Sequence, residues 1–296
     1  MAPFFLLEEF IQYLTSEKRF SEHTCIAYRK DIEQFLEFSG ASTQKEIQEI
    51  DSRLVRGWMV ELLEGEYTST SVNRKLSSLR TYFKWLFKEG QVSVNPLQLV
   101  NGPRNVKRLP SFAQKKELDA EHIELLFEED FDGQRDRLMF EVLYQTGVRS
   151  SELVNLKDVD VQQDRIKVLG KRSKERFIPI SKELYSIVEN YRVLRNEIAS
   201  ECENFFLLRS GKKLYPKFVY RKINSYLGKA TELEKKSPHI LRHTFATHML
   251  NNGAGLEVLK ELLGHANLSA TQIYTHNSFS QLTNIYSQSH PRGRKK

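Results

Sequence analysis

Apolar residues recur at helical spacing through the first hundred residues, and they predict four helices there. The first covers the segment LLEEFIQYL, and the second follows Ser21, a typical N-cap residue. The third begins at about Asp51, and the fourth extends from about Val72 to Phe87. The apolar positions of the fourth are Val72, Leu76, Leu79, Phe83, Leu86 and Phe87.

The opposite side of the fourth helix carries cations and hydroxyl groups and no carboxylate. At about 100° per residue these side chains fall in a single arc. A solvated helix face usually mixes charges of both signs, so this arc favours contacts with phosphate groups, although a solvent-exposed basic face is the alternative. We call it the basic arc, and its members are Arg74, Ser77, Arg80, Thr81, Lys84 and Lys88.

After residue 117 the pattern stays mostly helical. Helices are predicted over 119–128, 134–145, 181–200, 217–228, 238–252, 256–263 and 269–275, with a short one in SSELVNL. The single strong β pattern is RIKVLGKRSKERFIPI, whose two apolar arms flank a turn at Gly170–Lys174 and predict a hairpin. The fold class is therefore mainly α with a small β-hairpin, in two domains: 1–100 and 118–296. Between them, residues 101–117 have two prolines and little periodicity, as linkers do.

Charge refines this organisation. The 296 residues carry a net charge of +7, which favours a polyanionic partner. Residues 1–100 are nevertheless slightly acidic, with 12 Lys and Arg against 14 Asp and Glu, whereas residues 101–117 have 5 against 1. Two distant cysteines indicate neither a disulfide framework nor a zinc site, and no apolar run is long enough to cross a membrane. We expect a cytoplasmic protein.

Two short motifs carry side chains suited to an anion. Arg149 follows the helix break Thr146-Gly147, and its forked guanidinium matches the oxygens of a phosphate. Glu152 is placed to orient it. Ser237-Pro238 predicts a helix start that puts His239 and Arg242 in the first turn, where unpaired N–H groups favour an anion. A zinc site at His239, His243 and His248 is the competing interpretation, but no acidic ligand lies nearby; His243 and His248 are more typical of structural histidines.

The hairpin turn adds Lys171, Arg172 and Lys174 on a projecting tip, which taken alone is also consistent with a solvated basic loop that includes Arg176. Further along, His265 follows Gly264 at the end of LEVLKELL, and Tyr274 comes nine residues later in LLGHANLSATQIYTH. Two guanidiniums, an ammonium and two imidazoles suit a phosphate, with a phenol as the attacking group.

These motifs, in this order and spacing over almost the whole chain, resemble the tyrosine recombinases and, within them, the bacterial Xer recombinases. The resemblance implies an N-terminal four-helix, SAM-like core-binding domain and a catalytic domain that cleaves and rejoins DNA through a 3′-phosphotyrosine. It implies that Tyr274 is the nucleophile and that Arg149 and Arg242 clamp the scissile phosphate. Lys171 would be the general acid, His239 would assist proton transfer, and His265 would hydrogen-bond the phosphate.

The resemblance also implies the biological setting. The expected function is resolution of chromosome dimers at a dif-like site by a homo- or hetero-tetramer on two DNA duplexes, with a second Xer-type recombinase and an FtsK-like DNA translocase as partners. No metal, ATP or other cofactor is expected, since the chain has no acidic cluster for magnesium. The alternatives are a compact integrase of a transposon or phage, a type IB topoisomerase and a non-catalytic DNA-binding accessory protein.

A short amphipathic helix is predicted at about 279–287, from Phe279, Leu282, Ile285 and Tyr286. The resemblance implies that it docks on a neighbouring protomer, which links subunits in a ring. The other interpretation is that it caps its own domain, as terminal helices commonly do.

Overall fold

A computed structural model describes residues 2–105, 111–170, 174–264 and 276–293, with the side chains of residues 2–5 and 276–278 left out. The chain forms two compact units, Met1–Arg108 and Leu109–Lys296. In the described part of the chain, no helix is long and apolar enough to cross a membrane.

The first unit contains the four expected helices and one more. They are α1 (Ala2–Ser16), α2 (Glu22–Ser39), α3 (Gln44–Glu49), α4 (Ser52–Glu64) and α5 (Ser69–Lys88). The Ser21 side chain caps α2 as predicted, and the Asp51 side chain caps α4. Helix α3 was not predicted; it has six residues and a capping box in which Thr43 and Glu46 satisfy each other's backbone N–H groups.

Helix α5 lies at the centre of this unit's core, since Leu76, Leu79 and Phe83 are fully buried. The predicted stripe was wrong at its end, because Phe87 is 54% exposed. The buried face of α5 is also wider than the predicted stripe. Lys75 and Ser78 of the same helix are buried, and both donate to the buried carboxylate of Asp31 on α2.

The second unit is built around α7 (Phe131–Thr146), most of whose side chains are buried. Short helices α6 (Ala120–Glu124) and α8 (Ser150–Val154) flank it, and α6 is shorter than predicted. The hairpin is confirmed. Strands β1 (Arg165–Leu169) and β2 (Glu175–Pro179) pair antiparallel, with Leu169 opposite Glu175.

The remaining helices largely follow the sequence predictions. They are α9 (Lys182–Asn196), α10 (Pro216–Ala230), α11 (Pro238–Asn251), α12 (Leu256–Leu263) and α13 (His276–Ser289). The helix expected over 269–275 lies outside the described residues. The core gathers side chains from α7, both strands, the later helices and the segment between α9 and α10, including Tyr191, Phe205 and Phe245.

Helix α13 packs on its own unit in this single chain. Leu282 and Tyr286 are almost completely buried, and the Tyr286 hydroxyl donates to Gln145 Oε1 of α7 at 3.3 Å. Beyond the helix, His290 is fully buried and stacks on Tyr286, while Arg292 pairs with Glu141 at 2.9 Å. The interpretation in which this helix caps its own domain is therefore the one realised in the monomer.

Candidate active site

The turn after α7 is the foundation of the site. Gly147 has a φ of +62°, and a Cβ there would lie 2.6 Å from Phe245 Cδ1, so this position needs glycine for both its conformation and its packing. The chain then turns into α8, with Arg149 as its N-cap. Arg149 is thereby held at a helix start, where an anion is favoured.

Glu152 orients Arg149, as its position three residues later indicated. Its carboxylate accepts the Arg149 backbone N–H at 2.8 Å and Arg149 Nη1 at 2.9 Å. The Arg149 side chain stays 38% exposed, whereas that of Glu152 is 6% exposed. Burial opposes ionisation of Glu152, but the hydrogen bonds and charge of Arg176 and the hydrogen bonds of Arg149 hold its pKa below the ordinary value.

Arg242 reaches the same turn from α11. Its Nη1 donates to the Gly147 carbonyl at 2.5 Å and its Nη2 to the Leu263 carbonyl at 2.8 Å. Burial lowers its pKa to about 10, and the positive charges of Arg149 and Arg176 contribute. At neutral pH the guanidinium is still charged. The turn at Gly147 therefore brings together two charged side chains, Arg149 and Arg242, which are the two arginines predicted to bind the phosphate.

The hairpin turn is closed by a hydrogen bond from Gly170 N–H to the Lys174 carbonyl at 2.8 Å. Lys174 is exposed, and its charge acts on Glu261 of α12, whose pKa is raised by burial and partly restored by Lys174. The hairpin lies beside α12, since Arg176 Nε of β2 donates to the Leu262 carbonyl. Lys171 and Arg172 lie outside the described residues.

Three histidines belong to α11, and their surroundings differ. His239 is exposed at the helix start. His243 has its pKa lowered by burial and by the charge of His239. His248 is buried and its Nδ1 hydrogen-bonds the Tyr144 hydroxyl at 3.0 Å, as expected of a structural histidine. Among the described residues no three His, Cys, Asp or Glu side chains are grouped so that they could hold a metal ion.

His265 and Tyr274 lie outside the described residues. The segment before them is described up to Gly264, which ends α12 with a φ of +64°. The carbonyls of Leu262 and Leu263 at this end accept hydrogen bonds from Arg176 and Arg242.

The basic arc of α5 is partly engaged within its own unit. Arg74 forms a two-nitrogen pair with Asp31, and Arg80 Nη2 donates to the Val100 carbonyl at 2.8 Å. Thr81 hydrogen-bonds the Ser77 carbonyl of its own helix. Ser77 and Lys84 are exposed. The analysis of the helix alone could not reveal Asp31, because that carboxylate comes from α2.

Arg176 is a further residue of the site that was not predicted from the sequence. It was assigned to a solvated basic turn, but it lies on β2 and is 5% exposed. The available signal was strand alternation, because Arg176 and the buried Ile178 are two residues apart and so share a face.

Known protein families match both units of this chain. A model of the phage integrase family matches residues 116–281, and a model of the N-terminal SAM-like domain of phage integrases matches residues 7–90. Tyrosine recombinase XerC of Anoxybacillus flavithermus is 38% identical over 298 residues, covering 97% of this chain and 98% of that protein. Tyrosine recombinase XerC of Chlorobaculum tepidum is 36% identical over 316 residues, covering 97% of this chain and 94% of that protein. A crystal structure of XerH site-specific recombinase bound to palindromic difH substrate, in a post-cleavage complex, matches with a TM-score of 0.73 at 23% identity, over 95% of this chain and 83% of that chain.

The chain therefore belongs to the phage integrase family, the tyrosine recombinases. Within this family it is a site-specific recombinase of the Xer type. The mainly helical fold with a two-stranded sheet and a SAM-like N-terminal domain is the one expected from the sequence.

Proposed function

We propose that this recombinase cleaves and rejoins double-stranded DNA with Tyr274 as the nucleophile and Arg149 and Arg242 as the phosphate clamp. The observation that carries the proposal is the convergence of these two arginines on one turn. Arg149 is aligned by Glu152 at a helix start, and Arg242 bridges the Gly147 and Leu263 carbonyls. Arranged in advance, such donors stabilise charge that develops on a phosphate in the transition state.

The proposed reaction exchanges one phosphate ester for another. The Tyr274 oxygen bonds to the scissile phosphorus, and the bond from phosphorus to the 5′ oxygen breaks. Lys171 donates the proton that the leaving 5′ oxygen needs, His239 assists transfer of the phenolic proton to solvent, and His265 hydrogen-bonds the phosphate. Because the 3′-phosphotyrosine is itself a phosphodiester, a 5′ hydroxyl can reverse the step without ATP.

The proposed substrate is a dif-like chromosomal site, where the protein would resolve chromosome dimers in the cytoplasm. The 35–38% identity to XerC proteins supports this role, and the XerH relative is described with a difH substrate. The unit Met1–Arg108 would bind DNA through the basic arc, and Lys174 and Arg172 would add contacts from the hairpin. A homo- or hetero-tetramer on two sites, a second Xer-type recombinase and an FtsK-like translocase complete the proposal, with α13 leaving its own unit to dock on a neighbour.

The decisive experiment is Tyr274→Phe on a duplex that carries the dif-like site. We expect normal DNA binding and complete loss of the covalent adduct that survives SDS, because the phenol oxygen is the attacking atom. Tyr215→Phe, at an exposed tyrosine of the same unit, is the matched control and should form the adduct at the normal rate. Adducts in the Tyr274 variant would refute the nucleophile assignment, and efficient relaxation of plasmids that lack the site would point to a topoisomerase.

A further inference from the structure

We infer that Arg176 is a positioning residue of the active site, acting on Arg149 through Glu152. This inference rests on the proposed role of Arg149 at the scissile phosphate. Arg176 lies on β2 and is 5% exposed, so it contacts the site from the protein interior.

All three guanidinium nitrogens of Arg176 are engaged. Nη1 and Nη2 bind the two oxygens of Glu152 at 3.1 and 2.8 Å, and Nε donates to the Leu262 carbonyl at 2.8 Å. Arg176 therefore connects three segments: the strand that follows the hairpin turn, the start of α8 and the end of α12. A two-nitrogen pair with a third contact from Nε fixes the orientation of a guanidinium and of the carboxylate it binds.

The pair with Arg176 decides the state of Glu152. A carboxyl group so deeply buried would tend to be neutral, and the hydrogen bonds and charge of Arg176 are the largest effects that keep its pKa low. Only the ionised form can accept from Arg149 Nη1 and the Arg149 backbone N–H while both its oxygens bind Arg176. The orientation of the half-exposed Arg149 is thus set by a residue that does not itself face the solvent.

Arg176 and Arg242 bind consecutive carbonyls at the end of α12. Arg176 donates to the Leu262 carbonyl and Arg242 to the Leu263 carbonyl. Helix C-terminal carbonyls have no partner within the helix, so such donors fix where the chain leaves it. A Cβ at Gly264 would lie 3.0 Å from Arg176 Nη1 and 3.2 Å from its Cζ, which shows that the backbone passes directly against the guanidinium. His265 is the next residue in the chain.

The test is a double-mutant cycle on the full-length protein, with single-turnover cleavage of a duplex bearing the dif-like site. Arg149→Ala should slow cleavage about 100-fold or more, as loss of one transition-state donor does. Arg176→Lys keeps the charge but loses the two-nitrogen geometry. It should slow cleavage about 10-fold in the wild-type background and less than about 3-fold in the Arg149→Ala background, because coupled residues are not additive.

A second substrate separates positioning from general damage. Replacing a non-bridging oxygen of the scissile phosphate by methyl removes the charge that Arg149 neutralises. The defects of Arg149→Ala and Arg176→Lys should then shrink together. Arg195→Lys is the matched control, since Arg195 binds backbone carbonyls of Phe205 and Asn204 elsewhere in the unit. It should lower the melting temperature and leave cleavage on both substrates unchanged.

If Arg176→Lys does not fold, Arg176→Met combined with Glu152→Gln removes both buried charges together, which proteins often tolerate. That double variant should cleave as slowly as Glu152→Gln alone. Equal slowing by Arg176→Lys in both backgrounds, or a double variant much slower than Glu152→Gln, would overturn the inference and leave the proposed function standing. If Arg149→Ala itself cleaves normally, the assignment of Arg149 fails and this inference fails with it.

Discussion

The two units of this protein contain the same electrostatic device in two different uses. In each, one buried carboxylate binds a buried cation and a second cation that reaches solvent. Asp31 binds Lys75 and Arg74, whose side chains are 10% and 51% exposed. Glu152 binds Arg176 and Arg149, whose side chains are 6% and 38% exposed. Against the effect of burial, the buried Arg176 lowers the pKa of Glu152 most, whereas the exposed Arg74 lowers the pKa of Asp31 most, ahead of Ser78 and Lys75. In both groups the carboxylate orients the exposed arginine.

The difference lies in how much of the exposed arginine is used. Arg74 gives two guanidinium nitrogens to Asp31, so its fork is already matched to a carboxylate. Among the described residues, Arg149 gives Glu152 one guanidinium nitrogen and its backbone N–H. An arginine held by one nitrogen and its own backbone is oriented yet can still present the other donors to a phosphate. The Asp31 group therefore joins α2 to α5, whereas the Glu152 group prepares a site.

The largest expected effect tests whether the Asp31 and Glu152 groups differ in function. Glu152→Gln should slow cleavage about 100-fold at saturating DNA, because Arg149 loses its orientation. Asp31→Ala should instead destabilise its unit by about 3–5 kcal/mol, since it leaves Lys75 buried without its counter-ion. Single-turnover cleavage and thermal melting measure the two effects. If Asp31→Ala slows cleavage of bound DNA as much as Glu152→Gln does, the two groups do not differ in function.

Both groups also show what the sequence could and could not predict. Helices with a clear apolar stripe were predicted closely, and short motifs placed Arg149, Glu152 and Arg242 at helix starts, where the structure has them. Asp31 and Arg74 are separated by 43 residues, and no local pattern links them. Arg176 was assigned to a turn because its neighbours are cationic, although alternation on the strand buries it. The C-terminal helix was predicted, but whether it packs on its own unit depends on a complementary surface that only the folded chain shows.

Acid should affect the second unit at higher pH than the first. Burial lowers the pKa of His290 to about 3 from 6.5, so its unfolded state binds more protons between these values and stability falls as pH drops through that window. The Asp31 and Glu152 carboxyls, whose pKa values are also lowered, act in the same direction but only below their ordinary values of 3.8 and 4.5. Melting temperature should therefore begin to fall below about pH 6.5.

The variant His290→Phe identifies the source of this effect. It keeps a ring against Tyr286 and removes the titrating group, so the fall between pH 6.5 and pH 4.5 should be smaller in the variant than in the wild type. Part of the slope should remain, because burial lowers the pKa of His243 and His248 as well. A variant with the full wild-type slope would show that His290 does not cause it.

The smallest effect concerns the basic arc, where the comparison predicts that its members are unequal. Log affinity for DNA falls with log salt by about 0.9 for each phosphate neutralised. Lys84 is exposed and Arg80 is half-buried, with one nitrogen on the Val100 carbonyl. Replacing both by glutamine should flatten the slope by up to about 1.8.

Arg74→Gln should change the salt slope less, because Asp31 already neutralises that guanidinium. Lys45→Gln, at an exposed position on α3, is the matched control and should leave the slope unchanged. If the Arg80 and Lys84 double variant also leaves it unchanged, the arc is a solvated surface and the DNA-binding face of this unit lies elsewhere.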